Sequence, residues 1–226
     1  MPIYKGSNKI SQIYRGSSEL VSLYKGSVKY FSKAQPTPPG PTPGTIIFES
    51  ATPGSHQITI PASGNYTITL VGGGAGGFAY ITGFNKGGCN GTMISGTTHL
   101  EAGTYSLAIG SGAGGTQYGN SSTYNLSDGG DTTFLGNIAK GGLGHNRTNY
   151  YANNNSWSFY SVPTVVSAGL TGTNGNATNV GTTNGAPSLL DGTMAGPGAG
   201  GYIYDSGDIW WYTNGINGYA KIVAAS

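Results

Sequence analysis

A six-residue block, called here a glycine hexad, has the form Gly-x-Gly-Ala-Gly-Gly and occurs at residues 72–77, 110–115 and 196–201. Each hexad contains the letters of a dinucleotide-binding fingerprint, in which a glycine turn opens a helix whose N-terminus holds a pyrophosphate. No such helix is predicted, because residues 78–83 favour a strand, residues 116–120 favour a turn, and an aromatic run follows Gly201. The hexads are therefore predicted to be scaffold, and no cofactor is expected.

Side chains that could bind a metal or catalyse a reaction are few and scattered. Two aspartate pairs could supply oxygen ligands to calcium, namely Asp128 with Asp131 and Asp205 with Asp208. Neither spacing matches a known calcium loop, and aspartate beside glycine is typical of turns. The three histidines lie far apart and Cys89 is the one cysteine, which supports neither a zinc cluster nor a Cys–His dyad. With no Gly-x-Ser-x-Gly elbow and no indicated pair of catalytic carboxylates, we expect no metal site and no enzymatic activity.

Two aromatic segments are the candidates for binding a partner, one within the glycine-free stretch 145–168 and one at residues 202–212. All three tryptophans fall in them. Aromatic faces stack on the C–H surfaces of sugars while Asn and Asp hydrogen-bond to hydroxyls, and similar residue types form adaptable protein-binding loops. The alternative is that these rings fill the core of a domain short of large aliphatic side chains. The candidate binding residues are Tyr150, Tyr151, Trp157, Phe159, Tyr160, Tyr202, Tyr204, Trp210, Trp211 and Tyr212.

The composition indicates how these segments are held. Glycine supplies 42 of the 226 residues, and charged side chains make up only 8%. Glycine interrupts nearly every window long enough for a helix, and the stretches between glycines are rich in Thr, Val, Ile and Tyr, which favours strands. Glycine does not recur at every third position with abundant proline, so the chain is not collagen-like. The composition therefore predicts an all-β fold. The single cysteine excludes an intrachain disulfide, which fits assembly in a reducing cytoplasm.

Charge is distributed unevenly, with a net charge of +5 over residues 1–35 and of −3 over residues 45–226. The cations of the first segment recur beside turn glycines, which is typical of solvated hairpin edges, so nucleic-acid binding is not expected.

The N-terminus lacks the apolar region of a secretory signal, and no stretch has the length needed to span a bilayer. We therefore expect neither a secretory signal nor membrane insertion.

The first segment is a ten-residue repeat in three copies, at residues 3–12, 13–22 and 23–32. Each copy places an apolar-Tyr pair before a basic-Gly-Ser turn and an apolar residue after it, which predicts a β-turn or tight β-hairpin with glycine at positive φ. Three units this small cannot bury a core alone, so they are predicted to dock on other copies of the chain or on a larger body. The candidate docking residues are Tyr4, Gly6, Tyr14, Gly16, Tyr24 and Gly26.

Three regions are predicted: a docking and oligomerisation segment at 1–32, a linker at 33–44, and a glycine-rich domain at 45–226. The linker holds five of the eleven prolines, which favours extended polyproline II. Within the domain, strands are predicted at residues 45–50, 57–61, 66–71, 103–109 and 218–223. Extended glycine segments can pack side by side through backbone contacts. The domain is thus predicted to be β-sandwich-like with extended polyglycine segments.

The region from Thr45 to Val223 resembles the glycine-rich domain of bacteriophage tail-fibre and receptor-binding proteins. The order of six segments carries the resemblance: residues 58–61, 66–77, 103–105, 109–115, 130–134 and 217–222. The hexads are also similar to those of tip adhesins of T-even-like phages, which implies polyglycine helices in a rigid layer and intervening loops that contact the host. The Tyr-(Lys/Arg)-Gly-Ser repeats resemble short repeats of phage virion proteins. The chain departs from the family in its aromatic and Asn-rich insert, so no particular receptor is implied.

The resemblance implies a non-enzymatic virion protein that assembles in the host cytoplasm. As a tail-fibre or receptor-binding subunit, it would dock on other virion proteins through its N-terminal repeats and bind host surface polysaccharide or an outer-surface protein through its aromatic loops. A homotrimer is predicted, because the small repeats need neighbours. Two alternatives stay open: a phage head fibre or capsid decoration protein whose basic repeats dock on the shell, and a secreted bacterial adhesin, against which the missing signal counts.

Overall fold

The computed structural model describes two compact units, Met1–Pro39 and Gly40–Ser226. Half of the predicted linker, residues 33–38, lies outside the described residues. The residues that the structure describes are 3–5, 8–10, 14–15, 18–19, 22–25, 28–32, 39–80, 88–118, 123–125, 127–144, 146–148, 164, 166–175, 186–196, 198–201, 203–205 and 210–226.

The described part of the first unit consists of three antiparallel strand pairs, β1 with β2, β3 with β4 and β5 with β6. Their bounds are β1 (Ile3–Lys5), β2 (Asn8–Ile10), β3 (Tyr14–Arg15), β4 (Ser18–Glu19), β5 (Ser22–Lys25) and β6 (Val28–Ser32). Lys5 pairs with Asn8, so the Gly-Ser of the first repeat separates the two strands, and the other repeats follow the same register. Two-residue loops that begin with glycine are typical of hairpins, and each repeat therefore forms one hairpin.

The second unit is built from fifteen further strands in its described residues, and none of these residues is helical. The strands are β7 (Ile46–Ser50), β8 (Gly54–Ile60), β9 (Gly64–Val71), β10 (Phe78–Tyr80), β11 (Met93–Leu100), β12 (Gly103–Ile109), β13 (Thr116–Tyr118), β14 (Thr123–Asn125), β15 (Thr132–Phe134), β16 (Asn137–Ala139), β17 (Asn146–Thr148), β18 (Thr171–Thr173), β19 (Ile203–Asp205), β20 (Trp210–Tyr212) and β21 (Tyr219–Ala224).

Two antiparallel sheets form a sandwich, which confirms the predicted all-β class. The first sheet has the order β18-β11-β9-β21-β7, and the second has the order β16-β15-β12-β8. In β9, the side chains of Tyr66, Ile68 and Leu70 are buried while those between them are less so, because alternate residues of a strand face opposite sides. Both sheets contribute to one core, whose buried members are Ile58, Ile60, Tyr66, Ile68, Leu70, Ile94, Leu100, Leu107, Ile109, Phe134, Ala139, Ala220, Ile222 and Ala224.

Beyond the two sheets of the sandwich, the chain continues from the ends of their strands into a separate layer, called here the glycine slab. It consists of the three hexads and of five further short segments, at residues 88–92, 128–130, 140–144, 186–188 and 213–218. Backbone hydrogen bonds join these segments to one another. In the described residues, each hexad is followed by a strand, β10, β13 or β19, and not by the helix that a dinucleotide site would need.

The first hexad lies at the centre of the slab and donates hydrogen bonds with a period of three. Residues three apart donate to the same neighbouring segment, as expected for an extended helix with three residues per turn. The bonds run from the amides of Gly72, Ala75, Gly74, Gly77 and Gly73 to the carbonyls of Thr92 (3.0 Å), Cys89 (2.9 Å), Ile216 (2.8 Å), Thr213 (3.1 Å) and Gly130 (2.9 Å). Three segments thus accept from this hexad, in three directions.

Three other segments donate to the carbonyls of the first hexad. The bonds run from the amides of Gly142, Ala113 and Gly201 to the carbonyls of Gly73 (2.7 Å), Gly74 (2.9 Å) and Ala75 (2.8 Å). The hexad therefore has six hydrogen-bonded neighbours, and backbone groups alone pair with five of its six amides and three of its six carbonyls. This is the side-by-side packing of extended glycine segments that the sequence predicts.

Close approach of backbones is the reason for glycine in the slab. A Cβ built on Gly74 would lie within 3.0 Å of the carbonyl group of Ala199, and one on Gly88 within 3.0 Å of that of Ala75. Real Cβ atoms essentially never come this close. The same holds for Gly112 and Gly215, so a side chain at any of these positions would push two segments apart.

Candidate functional site

The three hexads run parallel and end at the same edge of the slab. Gly73 lies against Ser111 and Gly76 against Gly114, so the first two hexads advance together. The third hexad advances with the first in the same way, since Gly74 lies against Ala199 and the carbonyl of the next residue accepts from Gly201. The first two hexads begin directly at the ends of β9 and β12, so they carry the chain away from the sandwich.

Thr132 connects the sandwich to the slab. Its side chain is fully buried, and its hydroxyl donates to the carbonyl of Val71 at 2.7 Å and accepts from the amide of Gly110 at 3.1 Å. Val71 is the last residue of β9 and Gly110 the first of the second hexad, so one hydroxyl joins three strand ends. A buried hydroxyl with both roles filled contributes to stability and costs free energy when removed.

Polar side chains cap the slab where backbone amides find no carbonyl. The amides of Gly112, Gly115, Gly141 and Gly144 donate to side-chain oxygens of Asn217 (2.9 Å), Asn214 (2.9 Å), Asp131 (2.9 Å) and Asp128 (2.6 Å). Lys140 also lies 2.7 Å from the carboxylate of Asp131. The carboxylates of the first aspartate pair therefore act on the backbone, as turn residues do.

Four short strands meet at the edge where the hexads end, and together they are called here the aromatic end. β10 follows the first hexad and β13 the second, and the two strands pair in parallel with Tyr80 opposite Tyr118. β19 follows the third hexad and pairs antiparallel with β20, with Tyr204 opposite Trp211. β20 lies against both β10 and β13. The slab thus brings three regions that are distant in sequence to one place.

The strand β13 corrects one prediction. Residues 116–120 were expected to form a turn, whereas Thr116–Tyr118 is a strand. The strand forms because of a tertiary contact. The first two hexads run parallel, so the residues that follow them, from Phe78 and from Thr116, lie side by side and pair in register. The local sequence Thr-Gln-Tyr-Gly-Asn does not indicate that residues 78–80 will be its pairing partner.

The structure describes part of the predicted binding set. Tyr204, Trp210, Trp211 and Tyr212 lie on β19 and β20, at the aromatic end. Three aromatic residues that the prediction missed lie there too: Phe78, Tyr80 and Tyr118. Their signal was in the sequence, since an aromatic residue follows each hexad within three positions. Six predicted residues lie outside the described residues: Tyr150, Tyr151, Trp157, Phe159, Tyr160 and Tyr202.

The docking candidates lie on the hairpins of the first unit. The tyrosines Tyr4, Tyr14 and Tyr24 each stand opposite a charged residue, namely Lys9, Glu19 and Lys29. The glycines Gly6, Gly16 and Gly26 lie outside the described residues. Each hairpin therefore repeats the same pairing of tyrosine with charge.

The described residues hold no group of three or more His, Cys, Asp or Glu side chains that could bind a metal. Asp205 is described through its backbone in β19, and Asp208 lies outside the described residues. The same part of the chain contains no helix with the length and hydropathy of a bilayer-spanning segment.

One charged cluster lies on the outer face of the first sheet. Glu49 accepts a hydrogen bond from the Tyr219 hydroxyl at 2.5 Å and lies 3.1 Å from the ammonium of Lys221. The hydrogen bond from Tyr219, followed by that from Lys221, lowers the pKa of Glu49. Burial and the neighbouring carboxylate raise the pKa of Tyr219 well above its usual range, so the phenol stays a donor.

Comparison with protein families adds one assignment. The sequence profile of the glycine-rich domain family matches residues 50–224, which cover the slab and every strand of the sandwich except β7. The chain belongs to the glycine-rich domain family. A comparison with curated proteins finds no match.

Proposed function

We propose that the protein is a non-enzymatic receptor-binding subunit of a bacteriophage tail fibre, which contacts the host surface through its aromatic end. The observation that carries this proposal is the parallel alignment of the three hexads. It places seven aromatic residues of β10, β13, β19 and β20 at one edge of the slab. A concentration of Tyr and Trp on a fixed support is typical of recognition surfaces.

The slab supports this role because it can hold the aromatic end at a fixed place. Its segments are joined to one another by backbone hydrogen bonds in several directions. Six residues of extended glycine helix at about 3.1 Å each span about 19 Å. Binding to a preorganised surface avoids the entropic cost of ordering loops.

The hairpins of the first unit are proposed to attach the protein to the particle, in a homotrimer. The resemblance of the repeats to those of virion proteins supports this, together with the net charge of +5 over residues 1–35. Isolated two-stranded hairpins are marginal in water and need partners. Light scattering after gel filtration should give a trimer, and a folded monomer would contradict this part of the proposal.

The location on the particle separates the two phage functions. Labelling of the repeats in intact particles, followed by electron microscopy, should place them at the tail. A label on the capsid would favour the head-fibre or decoration function instead.

The binding experiment uses the full chain on a panel of bacterial strains. We expect the double variant Trp210→Ala, Trp211→Ala to lose at least about tenfold in affinity for the strain that the native protein binds, since aromatic anchors dominate most interfaces. The matched control is Ile46→Ala, which removes an exposed apolar side chain (53% accessible) from the sandwich. Unchanged binding by a folded double variant would exclude β20 as the contact.

A further inference from the structure

We infer that the aromatic end binds an uncharged polysaccharide, as opposed to an acidic polymer or a protein. This inference rests on the proposed function and names the class of ligand for the same site. Three features of the described strands carry it: their charge, their residue types and their register.

The aromatic end has almost no charge. The four strands β10, β13, β19 and β20 contain twelve residues, of which seven are aromatic and one, Asp205, is charged. Acidic polymers are bound through Arg and Lys, which form charge-assisted hydrogen bonds to phosphate and carboxylate groups. These strands contain neither residue type. The four described strands themselves therefore offer an anionic chain no counter-charge.

The residue types match the two parts of a neutral sugar. Sugar rings present C–H faces, on which Tyr and Trp stack, and hydroxyl groups, which need hydrogen-bond partners. Thr116, Gln117 and Asp205, whose residue types can hydrogen-bond to hydroxyl groups, belong to the same strands as aromatic residues. Aliphatic side chains are few, since Ile203 is the one aliphatic residue of these strands larger than alanine.

The register favours an extended ligand. Tyr80 stands opposite Tyr118 in the parallel pair, and Tyr204 stands opposite Trp211 in the antiparallel pair. Residues opposite each other share a face of the pair, at the strand spacing of about 4.8 Å. With β20 lying against both β10 and β13, the two aromatic pairs are neighbours. Successive aromatic residues at one edge suit the successive rings of a polymer.

The test compares purified bacterial polysaccharides, half of them uncharged and half acidic, immobilised for binding by the full-length protein. Affinity is measured at about 0.01 M and about 1 M NaCl, over which the Debye length falls from about 30 Å to about 3 Å. We expect binding to at least one uncharged polysaccharide, with less than a twofold change between the two salt concentrations. Trp211→Ala should weaken it about tenfold or more, Trp211→Phe less, and Ile46→Ala not at all.

Three results would overturn the inference, and they separate it from the proposed function. Preference for acidic polysaccharides, or a tenfold loss of affinity at high salt, would refute an uncharged ligand while leaving host binding intact. Binding to whole cells that is lost after protease treatment but kept after periodate oxidation would identify a protein receptor. Failure to bind any polysaccharide or any strain of the panel would refute both the inference and the proposed function.

Discussion

The sandwich and the glycine slab are both tightly packed, but the sandwich is packed through side chains and the slab through backbones. In the sandwich, fourteen buried hydrophobic residues from both sheets fill one core. In the slab, backbones pack directly against each other and hydrogen bonds run between segments in several directions. A hydrophobic core tolerates changes in side-chain shape if volume is kept, whereas backbone packing leaves no volume to change. The slab should therefore be the less tolerant half, although it buries few large side chains.

The largest expected effect is from Gly74→Ala in the first hexad. The new Cβ would lie within 3.0 Å of the carbonyl group of Ala199, and hydrogen bonds to Ile216 and from Ala113 hold the backbone of Gly74 in place. We expect a loss of about 3 kcal/mol or more in the free energy of unfolding, or no folded protein. Urea denaturation gives the value.

Gly114→Ala is the control for that substitution, since it changes another hexad glycine in the same way. A Cβ on Gly114 would meet only the side-chain oxygen of Asn214, at 4.0 Å. The free energy of unfolding should change by less than about 1 kcal/mol. Equal losses in the two variants would show that hexad glycines are needed for a reason other than close approach.

The next effect is in the sandwich. Ile68→Ala removes a fully buried side chain from β9 and should cost about 2–5 kcal/mol. Thr69→Ala is its control, because this neighbour faces the outer side and hydrogen-bonds to Ser95 at 3.2 Å.

Hydrogen exchange in Ile68→Ala shows whether slab and sandwich unfold together. If they do, slab amides lose the same protection as strand amides, and unchanged protection in the slab would make the two halves independent.

A smaller effect is expected at the junction between the two halves. Thr132→Val keeps the volume of the side chain but removes the donor to Val71 and the acceptor for Gly110, at a cost of about 1–3 kcal/mol. Thr133→Val changes the next residue of β15, which is less buried, and should be nearly neutral. Thermal unfolding of the two variants measures the difference. A Thr132 variant as stable as the native protein would mean that the hydroxyl does not connect sheet and slab.

The smallest effect concerns the surface of the sandwich and depends on pH. The pKa of Glu49 is lowered in the folded protein, first by the hydrogen bond from Tyr219, so its contribution is present above the unfolded pKa and is lost as pH falls through the folded value. Below about pH 4.5, the free energy of unfolding should therefore fall more steeply in the native protein than in Glu49→Gln. Tyr219→Phe should reduce this dependence on pH in part. The same dependence of the free energy of unfolding on acidic pH in all three proteins would contradict this account.

The sequence identifies the sandwich strands β7, β8, β9, β12 and β21 because side chains record their burial, whereas β11 was not predicted. The alternation of Tyr66, Ile68 and Leu70 along β9 predicts one buried face, and the hexad that follows predicts where the side-chain core ends. The three decapeptide repeats predict one hairpin each in the same way, since every copy carries the same Gly-Ser loop. In these places the pattern along the chain is itself the physical cause of the structure.

The partners of the glycine segments could not be inferred in this way. Nothing local marks that the first hexad has six neighbours or that Thr116–Tyr118 pairs with Phe78–Tyr80. For the same reason the candidate site was found only in part, because Phe78, Tyr80 and Tyr118 join Trp210 and Trp211 through the alignment of distant hexads.

The amino-acid sequence alone thus specifies the all-β class, the hairpin repeats and the places where glycine is required. It does so because burial and close approach leave a residue-by-residue record in side-chain type. The arrangement of the slab and the meeting of four strands at the aromatic end are properties of the folded chain. Glycine has no side chain with which to specify a neighbour, so the choice of partners depends on backbone hydrogen bonds that form only when the strand ends are in place.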